Sequence, residues 1–308
     1  MIKWLKPAAL ALCVAMAHTA SAQEDIQLQA TPLAEGVYMI QGVGGFAGGN
    51  MLVSTGSDGV VLIDDSMPPF LDKLNAELKK LKVKAVDYLI NTHVHWDHIS
   101  NNATFGEQGV KIVAHQGLRD FLATKGMPTS EGLKPVPNSA LPVITYTQKM
   151  AFYLNGDAAT LIHLPNAHTS TDTAVHLPKS NILHTGDVLF NGLFPFIDLQ
   201  NGGTVKGYLA AQKRLLALTD SNTKIVPGHG PLATKKDLEA AISMLESSIA
   251  KVAALVQSNK TLDEVLKINP LAEYDAKWSW GFINTEKMTQ TIYADLTGGV
   301  AAKSEHKH

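Results

Sequence analysis

The chain of 308 residues holds one cysteine, Cys13, and no long basic run. Cys13 falls in an N-terminal leader, so the chain that remains has no disulfide, no thiolate nucleophile and no thiolate metal ligand. Any chemistry must use oxygen and nitrogen groups. Charge is sparse at 18% of residues, and 26 basic side chains against 28 acidic ones give a formal net charge of −2. Without a basic patch, nucleic acid is excluded as a partner. No apolar run is long enough to span a bilayer. What the sequence does have is 45% hydrophobic residues, with neither a repeat nor a low-complexity linker, which is the composition of a globular protein with a sizeable core.

The leader reads as a secretory signal peptide over residues 1–22. Lys3 and Lys6 give a positive start, "PAALALCVAMA" is a short apolar run, and Ala20-Ser21-Ala22 is a small-residue cleavage site. Leu12 stands before Cys13 where a lipoprotein would need a small residue. The expected mature chain begins at Gln23, is periplasmic or secreted, and has no stable membrane insertion. Loss of Lys3 and Lys6 makes its charge balance more acidic.

Short β-type runs follow, "GVYMI", "NMLVST" and "GVVLID", separated by glycine-rich turns that predict an antiparallel meander. Phe70, Leu71, Leu74, Leu78 and Leu81 recur at helical spacing behind two prolines. "VDYLINT" and "VKIVAH" read as strands and "QGLRDFLATKG" as a helix closed by Gly126. Residues 127–140 read as a loop. Strands resume at "MAFYLN", "ATLIHLP", "TAVHLP" and "NILHTGD", followed by the helix "VKGYLAAQKRLLAL", the strand "TKIVPG" and a long helix. Its residues Leu238, Ile242, Leu245, Ile249 and Val252 mark one buried face. Thr261 and Glu264 form a capping-box pattern. The expected organisation is one layered domain over 23–258 with a helical extension over 259–308 packed on it. That extension ends in a polar, disordered tail carrying His306 and His308.

The chemistry concentrates in "NTHVHWDHISNN", where His93, His95, Asp97 and His98 fall within six positions. Strand residues two apart point to one side, so His93 and His95 at a strand end can face one metal ion, with Asp97 and His98 beside them for a second. Further oxygen and nitrogen donors stand where strands end: His168 in "PNAHTSTD", Asp187 in "NILHTGD" and His229 in "PGHGP". His163, His176 and His184 lie within β-type runs and read as core or supporting residues. His115, at a strand end, has no evident partner.

"THVHWDH", "PNAHT", "HTGDVLF" and "PGHGP", in this order, resemble the metallo-β-lactamase superfamily over about residues 36–258, and "GVVLID" fits the same pattern. The resemblance implies an α/β fold, a four-layer αβ/βα sandwich of two mixed sheets with helices outside and metals at one edge. It implies two Zn2+, iron or manganese being alternatives, with His93, His95 and His168 on the first ion and Asp97, His98 and His229 on the second. Asp187 would bridge them and Asp64 would orient the ligand loop. The implied reaction is hydrolysis of an ester, amide (β-lactam included) or thioester carbonyl of a small molecule, by a hydroxide shared between the ions, with Asp97 also catalytic as a proton acceptor.

β-Lactamases of this superfamily generally have cysteine or serine where this chain has Asp187, and one subclass adds a lysine three residues on. Phe190 stands there, and no Lys or Arg occurs between Asp187 and Lys206, so β-lactamase activity is expected to be weak or incidental at most. Glyoxalase-II-like members share the bridging aspartate, but their basic glutathione-binding residues have no match. The alternatives are a lactonase, a phosphodiesterase, or an iron-dependent redox member resembling persulfide dioxygenases. "GVGGFAGGN" (42–50) reads as a flexible hairpin able to fold over the metals, and "KWSWGF" (277–282) as packing against the sandwich rather than a groove wall.

Overall fold

The computed structural model describes residues 26–129 and 131–298. The leader expected at 1–22 and the tail with His306 and His308 lie outside the described residues. The glycine turns fold the first apolar runs into an antiparallel meander, β1 (Gln27–Ala34), β2 (Val37–Val43), β3 (Met51–Gly56) and β4 (Gly59–Ile63). β1 has no counterpart in the sequence reading. It is the sheet edge, and its register on β2 shifts between Pro32 and Ala34, which blurs the alternation that marks a strand.

After a 3-10 turn at Pro68–Phe70, α1 (Leu71–Lys80) buries Leu74 and Leu78 and returns the chain to β5 (Tyr88–Ile90), parallel to β4. Two short helices, α2 (Trp96–Ile99) and α3 (Asn102–Glu107), lead to β6 (Lys111–His115). Then α4 (Gln116–Lys125) stops at Gly126, whose φ of 90° favours glycine. The stretch 127–140 is not wholly loop: it holds the hairpin β7 (Met127–Thr129) and β8 (Gly132–Lys134). Strands of three residues containing proline or glycine leave no period for a sequence to show. β9 (Ile144–Tyr146) completes a seven-stranded sheet in the order β1-β2-β3-β4-β5-β6-β9.

The second sheet takes β10 (Lys149–Leu154), β11 (Asp157–His163), β12 (Thr173–Leu177) and β13 (Ile182–His184) antiparallel, then β14 (Lys224–Val226) parallel to β13 after the crossover helix α5 (Val205–Leu216). The two sheets pack face to face. Met39, Ile63, Ile90 and Val113 of the first join Leu161, Val175, Ile182 and Val226 of the second in one buried cluster. Their chain neighbours Ile40, Leu62, Leu89 and Ile112 point the other way, onto Leu74 and Leu78 of α1. Strands buried on both faces explain the near-continuous apolar runs. Across the second sheet, α5 and α6 (Lys235–Gln257) cover the outer face, which completes the αβ/βα sandwich.

Further along, α7 (Leu262–Ile268) opens with Thr261 and Glu264 in a capping box, as their spacing predicts, and α6 opens with Thr234 and Asp237 in another. Two more helices follow, α8 (Asp275–Trp278) and α9 (Thr285–Thr297). Leu271, Trp278, Met288 and Ile292 share one core cluster with Leu238, Leu245 and Val252 of α6. Among the described residues no helix is long and apolar enough to cross a membrane.

His115 does have a partner. Its ring lies on that of His163, centroids 3.7 Å apart and 7° from parallel, at the ends of β6 and β11. His115 accepts from Gly117 N–H through Nδ1 and donates through Nε2 to the Thr147 carbonyl, which leaves it neutral. Burial pushes His163 down to about 4, and His115 and Arg214 add to the shift against a bond to the Asp172 carbonyl. An unfolded histidine protonates near 6.5 and the folded one only near 4, so this stability is present above 6.5 and lost as pH falls toward 4. The urea midpoint should therefore fall less between pH 7.5 and 5 in His163→Gln than in the parent chain. Parallel declines would show that the stacked pair carries none of the acid sensitivity.

Candidate metal centre

Strand periodicity puts His93 and His95 side by side in the sequence reading, but β5 ends at Ile90 and both residues lie beyond it, in the turn that starts α2. That turn is fixed from below by Asp64. Its carboxylate accepts from Thr92 N–H at 2.8 Å, from Thr92 Oγ1 at 2.7 Å and from His98 Nδ1 at 2.7 Å. Asp64 itself sits at φ 60°, an uncommon region for a residue other than glycine, one that aspartate tolerates better than most. Helix α2 then turns Asp97 and His98 inward.

The other donors arrive from the second sheet. His168 follows β11, Asp187 stands in a 3-10 turn, Gly186–Val188, after β13, and His229 follows β14. Two glycines allow the approach: a Cβ at Gly228 would stand 1.9 Å from Asp187 Oδ1, and one at Gly49 would stand 2.0 Å from His98 Cε1. Asn50 ties the glycine-rich loop to the His229 loop through bonds to the Pro227 and Gly230 carbonyls.

All seven expected donors come together, in two groups. One ligand atom each from His93, His95, His168 and Asp187 lie within 4.8 Å of one another, and so do those of Asp97, His98 and His229. Asp187 stands between them. Its Oδ2 is 3.4 Å from His168 Nε2, 3.7 Å from His93 Nε2 and 3.3 Å from His229 Nε2, while Oδ1 is 3.1 Å from His98 Nε2. Asp97 Oδ2 lies 3.4 Å from His229 Nε2 and 3.6 Å from His98 Nε2.

The outer nitrogens decide what the inner ones can do. His98 donates through Nδ1 to Asp64, His168 through Nδ1 to the Phe196 carbonyl at 2.7 Å, and His95 through Nε2 to Asp198 at 2.9 Å. Thr92 Oγ1 gives its proton to Asp64 and so accepts from His93 Nδ1 at 3.0 Å. In its neutral form each ring thereby turns a bare lone pair inward. His168 Nε2 and His95 Nδ1 face each other at 2.7 Å with no proton assigned to either by these outer bonds. His93 Nε2, His98 Nε2 and Asp187 Oδ1 are buried with no hydrogen-bond partner. Converging, orphaned electron pairs of this kind call for cations, so the residues fit metal ions.

The electrostatics divide the histidines. Burial opposes charge on His95 and His98, but Asp198 beside His95 and Asp187, Asp97 and Asp64 around His98 raise both above the usual histidine range, so an ion binding there displaces protons. Burial and the neighbouring His98 hold His93 well below the usual histidine range, and burial with His95 brings His168 down to about 4. Burial also opposes charge on Asp187, yet His229, His98, His93 and His168 around it hold its carboxyl well below the ordinary value. Asp187 is an anion.

Asp198 escaped the sequence reading because its bond to His95 spans 103 positions of chain. The stretch 277–282 divides: Trp278 packs in the core, whereas Trp280 and Phe282 line the cavity that opens on the metal centre, together with Phe46, Trp96, Phe190 and Phe196. Phe46, on the glycine-rich loop, stacks on His229 at 5.6 Å, and Phe190 does so at 4.9 Å.

Comparison with known proteins accords with this geometry. The chain is 24% identical over 217 residues to a type 2 metallo-beta-lactamase of Bacteroides fragilis, covering 67% of this chain and 80% of that one. It is 31% identical over 146 residues to a hydroxyacylglutathione hydrolase of Nitrosococcus oceani, covering 47% and 48%. Among solved structures, a metallo-beta-lactamase from Pontibacter korlensis superposes with a TM-score of 0.60 at 22% identity, covering 71% of this chain and 99% of that one. The profile of the metallo-beta-lactamase superfamily matches residues 44–229. With the sandwich, the histidine–aspartate metal site and this match in hand, the chain belongs to the metallo-beta-lactamase superfamily and is a metal-dependent hydrolase.

Proposed function

We propose that the protein is an exported, dinuclear-zinc hydrolase acting on the carbonyl of a small ester, thioester or amide. The position of Asp187 between two donor groups carries this reading, since one carboxylate facing four histidines is the arrangement a pair of ions can share. His93, His95 and His168 would hold one ion and Asp97, His98 and His229 the other. Imidazole and carboxylate donors without thiolate suit zinc, and also iron or manganese. Export is supported by the leader with Lys3, Lys6 and Ala20-Ser21-Ala22.

Zinc supplies Lewis acidity to the scissile carbonyl and to water near neutral pH. The chain's own groups do the rest. Hydrolysis consumes one water: its oxygen bonds to the acyl carbon, the acyl bond to oxygen, sulfur or nitrogen breaks, and a proton passes to the leaving group. Asp97 lines the cavity and is placed to hold that proton on its carboxylate. Asp64 and Asp198 keep His98 and His95 in the tautomers that face inward. Phe190, against His229, stands where a lysine would be needed to grip an anionic drug.

The test is a panel of cephalosporin, lactone, thioester, ester and phosphodiester offered to the purified, zinc-loaded chain. Turnover of lactone, ester or thioester, lost on chelation and restored by zinc, is expected. Turnover that survives chelation, activity on the phosphodiester alone, or a redox reaction with bound iron would overturn the proposal.

A further inference from the structure

The cavity over the metal centre has a volume of about 480 Å³, the size of a small-molecule site, and its walls carry a chemical preference. Six aromatic side chains line it: Phe46, Trp96, Phe190, Phe196, Trp280 and Phe282. Trp280 and Phe282 belong to the segment beyond α8, outside the stretch 44–229 that matches the superfamily profile. Their rings meet at 5.6 Å, Phe282 lies edge-on to Phe196 at 5.3 Å, and Trp280 reaches Phe190 at 6.0 Å.

This wall is rigidly tied. Phe194 N–H donates to the Trp278 carbonyl at 2.7 Å, Trp280 N–H to the Ile283 carbonyl at 3.0 Å, and Trp280 Nε1 to the Phe194 carbonyl at 3.0 Å. The last bond uses up the indole's polar atom, so its ring offers the cavity apolar area alone.

The wall lacks cationic side chains. Among the described residues, those lining the cavity include no lysine or arginine, and with Asp97 and Asp187 belonging to the metal donors, Asp198 is the carboxylate of the lining outside that set. Lys287 sits behind Phe282, its Nζ 5.0 Å from the ring centroid and donating to the Phe282 carbonyl. The neutral polar groups are also engaged: Asn201 Nδ2 donates to Asp198, and Thr129 Oγ1 to the Gly132 carbonyl. A carboxylate or phosphate on the distal part of a substrate would lose its water here and meet rings and an aspartate.

We infer that this cavity selects an uncharged ester or thioester bearing a flat, aromatic group, which the Trp280–Phe282 wall receives, and that it rejects substrates with an anion on that side. The inference rests on the hydrolase reading, which puts the scissile carbonyl at the Asp97–Asp187 end. Water is the co-reactant: the acyl carbon gains its oxygen and the departing alcohol or thiol takes a proton.

Two probes that differ by one sulfonate isolate the charge, N-phenyl-1-naphthylamine and 1-anilinonaphthalene-8-sulfonate, with binding to the zinc-loaded chain followed by fluorescence. The neutral probe should bind about tenfold or more tightly than its sulfonate, Trp280→Ala should weaken it about fivefold or more, and Trp280→Phe should restore it to within about twofold. Equal or tighter binding of the sulfonate, or unchanged affinity in Trp280→Ala, overturns the inference.

In a second arm, the phenylacetyl thioester of N-acetylcysteamine should exceed that of glutathione in kcat/KM by about tenfold or more. A preference for the glutathione thioester overturns the substrate class and leaves the hydrolase reading standing. Neutral-probe selectivity without turnover of any carbonyl substrate overturns the hydrolase reading, and the substrate assignment with it.

Discussion

Asp187→Asn is expected to lower metal content to one ion per chain or none and to reduce kcat/KM by roughly a thousandfold or more. The side chain is nearly isosteric, so the change is electrostatic. In the parent chain both carboxylate oxygens lie among inward lone pairs, Oδ2 facing His93, His168 and His229 and Oδ1 facing His98. An amide supplies one acceptor at most, and its NH2 would donate to an imidazole lone pair and occupy it. The backbone needs no rearrangement, because the turn holding residue 187 is fixed by main-chain bonds, Gly228 N–H to the Gly186 carbonyl at 2.8 Å among them. Metal analysis with kcat/KM on the same preparation checks the expectation. A fully loaded, active variant would mean that Asp187 is not shared between two ions.

Asp64→Asn is expected to weaken metal binding about 10–100-fold without contact with the metal. Asp64 accepts three hydrogen bonds, from Thr92 N–H, Thr92 Oγ1 and His98 Nδ1. Asparagine can accept through one oxygen only. If its NH2 faces His98, the imidazole must accept at Nδ1 and carry its proton on Nε2, the inward atom, which blocks the site. If the amide is reversed, the Thr92 N–H is left facing a donor, at a cost of about 1–3 kcal/mol for a buried orphan. Asparagine tolerates a φ of 60° as aspartate does, so backbone strain is held constant. Nitrogen chemical shifts of His98 in the metal-free variant would show the changed tautomer directly. An unaltered tautomer with unaltered affinity would limit Asp64 to supporting the loop.

The opening cluster was legible because four ligand types fall within six positions, and His168, Asp187 and His229 entered through motifs that follow it in the order the family resemblance implies. Its geometry was less so. His93 and His95 meet through the turn that Asp64 holds, beyond the end of β5, so the period-two argument brought the two together by a local geometry the chain does not adopt. Asp198 and Asn50 act through tertiary bonds across 103 and 177 positions, and nothing local distinguishes them from surface polar residues. The hairpin β7–β8 and the edge strand β1 were missed because three-residue strands and a proline bulge carry no periodic signal. The long helix α6 was readable for the opposite reason: Leu238, Ile242, Leu245 and Val252 are all buried at the spacing the sequence displays.

The central claim is that seven side chains form one centre for two ions sharing Asp187. Zinc titration of the metal-stripped, purified chain by calorimetry tests it most directly. Two equivalents per chain in the parent, falling to one or none in Asp187→Asn, is the expected result. A single equivalent in the parent that persists unchanged in Asp187→Asn would contradict it.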